Sequence, residues 1–452
     1  MAYNRKQRLN DNIKAIETAF ILDREQRTPT ARERLLLERY CGFGGLKCIL
    51  NPARELADAV HWAKSDLELF APTVELHRLI RENSKNESEY KQLMDSLKQS
   101  VLTAFYTPSA VTEALTDVLK EHQIIPEKVL EPSAGIGAFV DSVLDNNPKA
   151  DIMAFEKDLL TGKILRHLHP EQKVRIEGFE KIEKPFNDYF DLAISNIPFG
   201  DVAVFDPSYT AMKGMRALVT RRIHNYFFVK ALDTVRDGGL VAFITSQGVL
   251  NAKNNSAARF MMLYHADLVS AIRLPNNLFT ENANTEVGSD LIILQKNSQK
   301  ESLRGDDNLL DTVYNDENRI PTNNYFLEHP ERIIHTTAKL DTDPFGKPAM
   351  IYTHEDGVEG IAVDLRKMLH EDFKKNLNLN RYLGIEETKA EEVKEVEETE
   401  KIEKTEKIKP SIEEKQNDTV VSLQKQEKPT NDAELSQKSN HQQPPVQMTL
   451  FD

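Results

Sequence analysis

Apolar positions in this chain gather into short runs that end on acids, glycines or asparagine, and between them the spacing turns helical. The run Lys128 to Leu130 stops at Glu131, Asp151 to Phe155 stops at Glu156, and Ala193 to Ser195 stops at Asn196. Short bounded runs of this kind predict strands. The first is followed by a glycine-containing turn that opens into a helix from about Ala138, and a helical segment follows Pro108. Asn225-Tyr226-Phe227-Phe228 begins an amphipathic helix expected to end at Asp237-Gly238-Gly239, ahead of a strand over Leu240 to Thr245. A further strand is predicted over Leu291 to Leu294. Residues 1–100 read mostly as helix, with Tyr40-Cys41-Gly42-Phe43-Gly44-Gly45-Leu46 as a glycine-rich turn in their middle.

The richest chemistry lies where one strand ends. Ala193 to Gly200 reads A-I-S-N-I-P-F-G, so an amide oxygen, a backbone carbonyl and an aromatic face follow one another at a strand's carboxyl end. A planar exocyclic amine delocalises its lone pair into the ring and is a poor nucleophile. Two acceptors, the Asn196 side chain and the Ile197 carbonyl, can hold its hydrogens, Pro198 fixes the loop, and Phe199 can stack on the ring. By itself the tetrapeptide also suits an ordinary strand-to-turn junction.

Upstream, Lys128 to Phe139 reads K-V-L-E-P-S-A-G-I-G-A-F. Gly135 and Gly137 permit a tight turn and close approach of a ligand. Glu156 lies about 20 residues further on, where an acid grips the hydroxyls of a ribose-bearing cofactor. Nicotinamide dinucleotides use the same parts, but Glu131-Pro132-Ser133-Ala134-Gly135-Ile136-Gly137 is not G-x-G-x-x-G, and a pyrophosphate is repelled by Glu131. The cationic sulfonium and amino group of S-adenosyl-L-methionine are not.

With these two motifs in order, the chain resembles the amino-methyltransferases that act on adenine N6 in DNA. Phe105-Tyr106-Thr107-Pro108 is similar to the family's F-Y-T-P element, which helps enclose the methionine end of the cofactor. Phe179 stands where a phenylalanine often flanks the cofactor's adenine. Gly178 takes the place of a common aspartate, leaving Glu177 or Glu180 as substitutes. Leu278-Phe279 and Thr285 to Asp290, ahead of the last strand, resemble the closing hairpin of that domain. Ile197 stands where many members have Pro or Leu, and Ile-Pro-Phe-Gly together with Tyr40 to Leu46 is similar to the methylase portion of methylase-helicase proteins of conjugative elements and phages. The chain has no G-x-x-x-x-G-K-(S/T) phosphate loop for the helicase.

The resemblance implies an α/β, Rossmann-like class I methyltransferase: a mostly parallel seven-stranded sheet with one antiparallel strand, a helical N-terminal region and a disordered C-terminal tail. It implies methyl transfer from S-adenosyl-L-methionine to N6 of an adenine flipped out of DNA, with Asn196, Ile197, Pro198 and Phe199 catalytic. Tyr106, Thr107, Pro108, Glu131, Pro132, Ser133, Ala134, Gly135, Gly137, Glu156 and Phe179 would bind the cofactor. No metal is expected. Alternatives are a protein glutamine, an RNA base or cytosine N4 as the methyl acceptor, and a non-catalytic DNA-binding remnant of a methylase-helicase.

A net charge of −14 changes this picture little, because Glu386 to Glu400 holds many of the acids. Phosphate binding needs only a local basic face, and Lys213, Arg216, Arg221 and Arg222, interleaved with Tyr209 and Tyr226, are the candidates for DNA contact. Cys41 and Cys48 have no metal spacing, no apolar run is long enough for a membrane span, and the expected location is cytoplasmic. The predicted divisions are 1–100, covering the cofactor side or contacting DNA; 101–297, catalytic; 298–385, a DNA-recognition region or a packing extension; and 386–452, a solvated tail. The tail is Lys/Glu-rich and closes on Gln447-Met448-Thr449-Leu450-Phe451-Asp452. Gln447, Leu450 and Phe451 resemble the peptide that docks on the bacterial replication sliding clamp.

Overall fold

The computed structural model describes residues 4–103, 106–212, 214–280, 286–303, 307–314, 320–343 and 346–385. Phe105, Lys213, Thr285 and the tail with Gln447, Leu450 and Phe451 lie outside them.

Seven strands form one sheet: β1 (Lys128–Glu131), β2 (Asp151–Phe155), β3 (Lys173–Arg175), β4 (Phe190–Asn196), β5 (Val235–Ser246), β6 (Ala266–Leu274) and β7 (Ser289–Lys296), ordered 3-2-1-4-5-7-6. The pairs among β1 to β5 are parallel, and β7 runs antiparallel between β5 and β6. This is the expected mostly parallel sheet with one antiparallel strand. In such a sheet both faces must be covered, so successive side chains enter different cores. Leu192 and Ile194 join a core with Val129, Ile152 and Ala242, while Ala193 joins the opposite core with Leu130, Met153 and Phe243.

The N-terminal region supplies helices α1 (Arg5–Glu25), α2 (Ala31–Leu37), α3 (Leu67–Glu82) and α4 (Glu87–Thr103). They share a third core with Leu160, Ile164 and Leu168 of helix α7 (Leu159–Leu168), which follows β2. Asp23 of α1 binds Arg166 (3.1 Å) and His167 (2.9 Å) of α7, and pairs with Lys163. Helices α5 (Ser109–Glu121) and α6 (Ala138–Asn146) flank β1 in sequence. At the far end of the described chain, the helix Gly357–Asn376 sends Leu365, Leu369 and Phe373 into the core lined by α5, and its Asp372 accepts from Ser270 of β6 at 2.7 Å.

One boundary differs from expectation. The helix begun at Ile223 stops at Thr234, and β5 starts at Val235 rather than Leu240. Val235 pairs with Phe190, and the register then slips so that Leu192 meets Leu240. The slip is absorbed at Gly238, in the left-handed region at φ +73°, where a side chain would strike the Arg381 carbonyl. Asp237-Gly238-Gly239 is therefore a bulge inside the strand, and local glycine chemistry cannot distinguish this from a turn.

Candidate functional site

Parallel strands deliver their last residues to one edge of the sheet, the place where open α/β sheets hold ligands. Here that edge carries Glu131, Glu156 and Asn196, together with Ser246 and the start of the antiparallel β7 at Ser289.

The glycine turn after β1 is tightly specified. Ala134 donates to the Phe155 carbonyl and Gly137 to the Ala134 carbonyl, both at 2.8 Å. Gly135 lies at φ +57°, and a Cβ on it would come within 2.8 Å of the Tyr106 ring. Gly137 caps α6 at φ +93°. Both positions need glycine for conformation and also for room, since a Cβ on Gly137 would come within 2.5 Å of the His169 ring. Tyr106 thus lies against the turn, although it precedes it by a whole helix. Thr107 is buried with a hydroxyl that has no hydrogen-bond partner among the described residues, and Pro108 caps α5.

Two carboxyls frame this turn. Glu156 accepts from the Gly135 amide at 2.8 Å and from the Asp158 amide at 2.7 Å, so it ties the turn to the start of α7. Burial, reinforced by the Asp158 charge, pushes its pKa up to about 8 against the pull of these amides. Glu131 is 2% exposed. Burial first, then the Asp141 and Glu156 charges, hold it well above the usual carboxylate range. One of its oxygens lacks a hydrogen-bond partner among the described residues. A buried acceptor of this kind is stabilised by a donor-rich or cationic ligand.

Behind Glu156 stands a polar network that the sequence reading passed over. Asp158 caps α7 through the Thr161 amide (2.7 Å) and accepts from Ser96 of α4 at 2.8 Å. The buried Tyr40 hydroxyl lies 3.3 Å from the Thr161 hydroxyl. The N-terminal region therefore braces the start of α7, which Glu156 ties to the glycine turn. Asp158, with Thr161 three residues on and an apolar run following, carries a helix-start signal; Ser96 and Tyr40 carry no signal, because only packing brings them here.

The second half of the site is the end of β4. Ile197 donates its amide to the Ile244 carbonyl at 3.0 Å, prolonging the ladder one residue past Asn196, and its side chain is 1% exposed in the core. The Ile197 side chain thus anchors the strand end in the core. Ser195 donates to the Ser133 carbonyl at 3.0 Å and joins this segment to the glycine turn. Phe199 meets Phe279 edge to face, with centroids 6.2 Å apart. Thr245, Gln247 and Ser289, near the same edge, each keep a buried polar atom without a hydrogen-bond partner among the described residues. Only the antiparallel register, which pairs Thr245 with Asp290 and Ser246 with Ser289, gathers them.

Other candidates fall differently. Phe179 is 1% exposed and packs against Phe155 and Phe227, with centroids 5.9 and 5.3 Å away, so the core holds its ring. Of the two acids near Gly178, Glu177 is taken by Arg175 (2.6 Å), whereas the Glu180 carboxylate sits where a side chain at 178 would be. Arg216 forks onto Asp233 at 2.6 and 2.9 Å. Arg222 binds Asn254 (2.6 Å), Asn255 (2.8 Å) and Asp201 (3.1 Å). Arg221 is exposed, with no side-chain partner among the described residues. Cys41 and Cys48 are free thiols. Among the described residues no helix is long and apolar enough to cross a membrane, and no group of three or more His, Cys, Asp or Glu side chains could hold a metal ion.

Parts of the chain are similar to known proteins. "Defense against restriction protein B" of Escherichia phage P1 is 29% identical over 201 residues, 43% of this chain and 8% of that protein. The Type II methyltransferase M.XamI of Xanthomonas campestris pv. amaranthicola is 25% identical over 173 residues, 35% of this chain and 33% of that protein. The matches thus span a third or less of these relatives' lengths. A solved type I restriction-modification system methyltransferase subunit from Streptococcus thermophilus aligns over 71% of this chain and 69% of its own, with 16% identity and a TM-score of 0.39. The model of the N-6 DNA methylase family matches residues 88–391, more than half of the chain and all of the sheet. The seven-stranded sheet with its antiparallel β7 is a Rossmann-like class I methyltransferase fold, and the chain belongs to the N-6 DNA methylase family.

Proposed function

We propose that this protein transfers a methyl group from S-adenosyl-L-methionine to the N6 amine of an adenine turned out of DNA. The observation that carries the reading is the bond from Ser195 to the Ser133 carbonyl, which fastens Asn196–Phe199 to the glycine turn. Donor and acceptor subsites on those two segments would then be neighbours held at fixed separation.

The residues present fit such a cofactor. Glu131 offers a buried acceptor, the Thr107 hydroxyl has no hydrogen-bond partner among the described residues, Gly135 and Gly137 turn the backbone without side chains of their own, and Glu180 supplies the carboxylate that Gly178 lacks. The cofactor supplies an activated methyl group on a sulfonium. Asn196 and the Ile197 carbonyl bind the amine's hydrogens and favour charge developing on its nitrogen. Ile197 is buried and Pro198 fixes its own φ, so the Ile197 carbonyl keeps its direction. Phe199, braced by Phe279, stacks on the base. An amine paired in a duplex cannot reach these acceptors, so the base must leave the stack. Among the described residues Arg221 is the predicted cation best disposed for phosphate, because Arg216 and Arg222 are engaged within the protein.

The phage relative's name suggests protection of mobile DNA from restriction as the biological setting, in the cytoplasm, and the terminal Gln447, Leu450 and Phe451 suit capture by a sliding clamp.

The test is to incubate the purified protein with unmethylated DNA and methyl-labelled S-adenosyl-L-methionine, followed by mass analysis of nucleosides. N6-methyladenine is expected from wild type. Asn196→Ala should lower kcat by about 100- to 1,000-fold, with cofactor affinity unchanged. N4-methylcytosine would correct the base, and absence of product despite cofactor binding would overturn the reading.

A further inference from the structure

Directly after the amine pocket the chain makes an excursion, residues 201–222, before the helix Ile223–Thr234 begins. On it Phe205 is 77% exposed, more than any other aromatic side chain among the described residues. The ring is nevertheless not on a loose loop. Val204 donates to the Thr220 carbonyl at 2.8 Å. On the other side Asp206 is 3% exposed and accepts from Tyr226 (2.7 Å), the Ser208 amide (2.8 Å) and Lys230 (3.3 Å). An aromatic ring held in water on a backbone locked at both neighbours has lost the freedom to hide itself, which calls for a partner on that face.

The surroundings say which partner. The Val204–Thr220 bond brings Phe205 and the exposed Arg221 to the two sides of one backbone bridge. Arg222 reaches Asn254, and Lys253 beside it is exposed. The two acids closest in sequence are already paired, Asp201 with Arg222 and the buried Asp206 with Lys230. Phe205 is six residues from Phe199, so their Cα atoms are at most about 22 Å apart. A stiff exposed ring with cations beside it, close to a pocket for a base, matches duplex DNA from which that base has been withdrawn. Withdrawing a base leaves its neighbours and its pairing partner unstacked, and a ring inserted in the gap restores the lost stacking.

We propose that Phe205, steadied by Arg221 on the phosphates, occupies the gap in the duplex left by the everted base. The inference rests on the DNA reading above and gives the excursion after Asn196–Phe199 a role in opening the duplex.

The experiment uses the full chain. The modified site is first located on unmethylated plasmid DNA, and short duplexes containing it are then made with the target either paired or facing an abasic position. Phe205→Ala should lower kcat/KM on the paired duplex by about 5- to 140-fold, the worth of one stacked base. On the duplex with an abasic position opposite the target it should stay within about threefold of wild type, and Phe205→Trp should restore most of the loss. With 2-aminopurine at the target, the fluorescence rise on binding should shrink in Phe205→Ala. Cofactor affinity and melting temperature, measured alongside, should match wild type because the ring is exposed. Equal loss on both duplexes would assign Phe205 to general binding and overturn the proposal, as would wild-type rates on the paired duplex. A wild type inert on every DNA would instead sink the reading beneath it, and this proposal with it.

Discussion

Cofactor affinity should depend steeply on pH through Glu156. Its carboxyl is pushed up to about 8 by burial and by Asp158, while its two oxygens accept the Gly135 and Asp158 amides. A ligand that donates ribose hydroxyls to this group binds the ionised form, so binding below pH 8 must first remove a proton. Well below pH 8 each pH unit of that removal is tenfold in affinity, giving a Kd for S-adenosyl-L-methionine that falls by up to about 50-fold from pH 6 to pH 8 and levels by about pH 9. Titration calorimetry in buffers of different ionisation enthalpy reads both the Kd and the release of about one proton near pH 6.5. Glu156→Gln should abolish this pH dependence and keep affinity near the wild-type value at low pH. The sign for the free protein is opposite. A carboxyl whose pKa rises on folding adds stability that is complete below the unfolded value of 4.5, so free-protein stability falls as pH rises from there through about 8. A flat Kd from pH 6 to 9 in wild type would refute the reasoning. PH dependence surviving in Glu156→Gln would transfer the titration to Glu131 or Asp158.

The remaining predictions concern single contacts. Glu180→Ala should weaken cofactor binding by about tenfold, the worth of one charge-assisted hydrogen bond; Glu177→Ala, which removes only the pairing with Arg175, should leave it nearly unchanged, and equal effects in calorimetry would reject Glu180 as the substitute for a side chain at 178. Gly135→Ala forces a Cβ against the Tyr106 ring at φ +57°, and a loss of about 1–3 kcal/mol in denaturant unfolding is expected, with weaker cofactor binding; unchanged stability would mean that the turn can relax. Arg273 and Asp290 are 3% and 0% exposed in their side chains, with the guanidinium 4.1 Å from the Phe326 ring centroid. Arg273→Met strands a buried carboxyl and should cost about 3–5 kcal/mol, most of it recovered by adding Asp290→Leu; a small loss in the single variant would contradict the buried-pair account.

The sequence alone carried the parts of this protein that depend on neighbours along the chain. Short apolar runs ending in Glu131, Glu156 and Asn196 announced strands whose last residues are chemical, because a parallel sheet presents those ends together. Gly135 and Gly137 could be read as turn residues because positive φ is a local demand. The start of β5 could not, since Gly238 serves a register slip that only pairing with β4 creates. Nor could the chain order reveal that Tyr106 lies on Gly135, that Ser96 and Tyr40 brace Asp158 and Thr161, or that Phe179 is core. These contacts link residues whose separation in sequence carries no period or spacing. Arg216 illustrates the limit: a basic residue near the pocket reads as a phosphate contact until the fold sets Asp233 against it. Charge is a property of the residue, but whether that charge is available is decided only by what packs beside it.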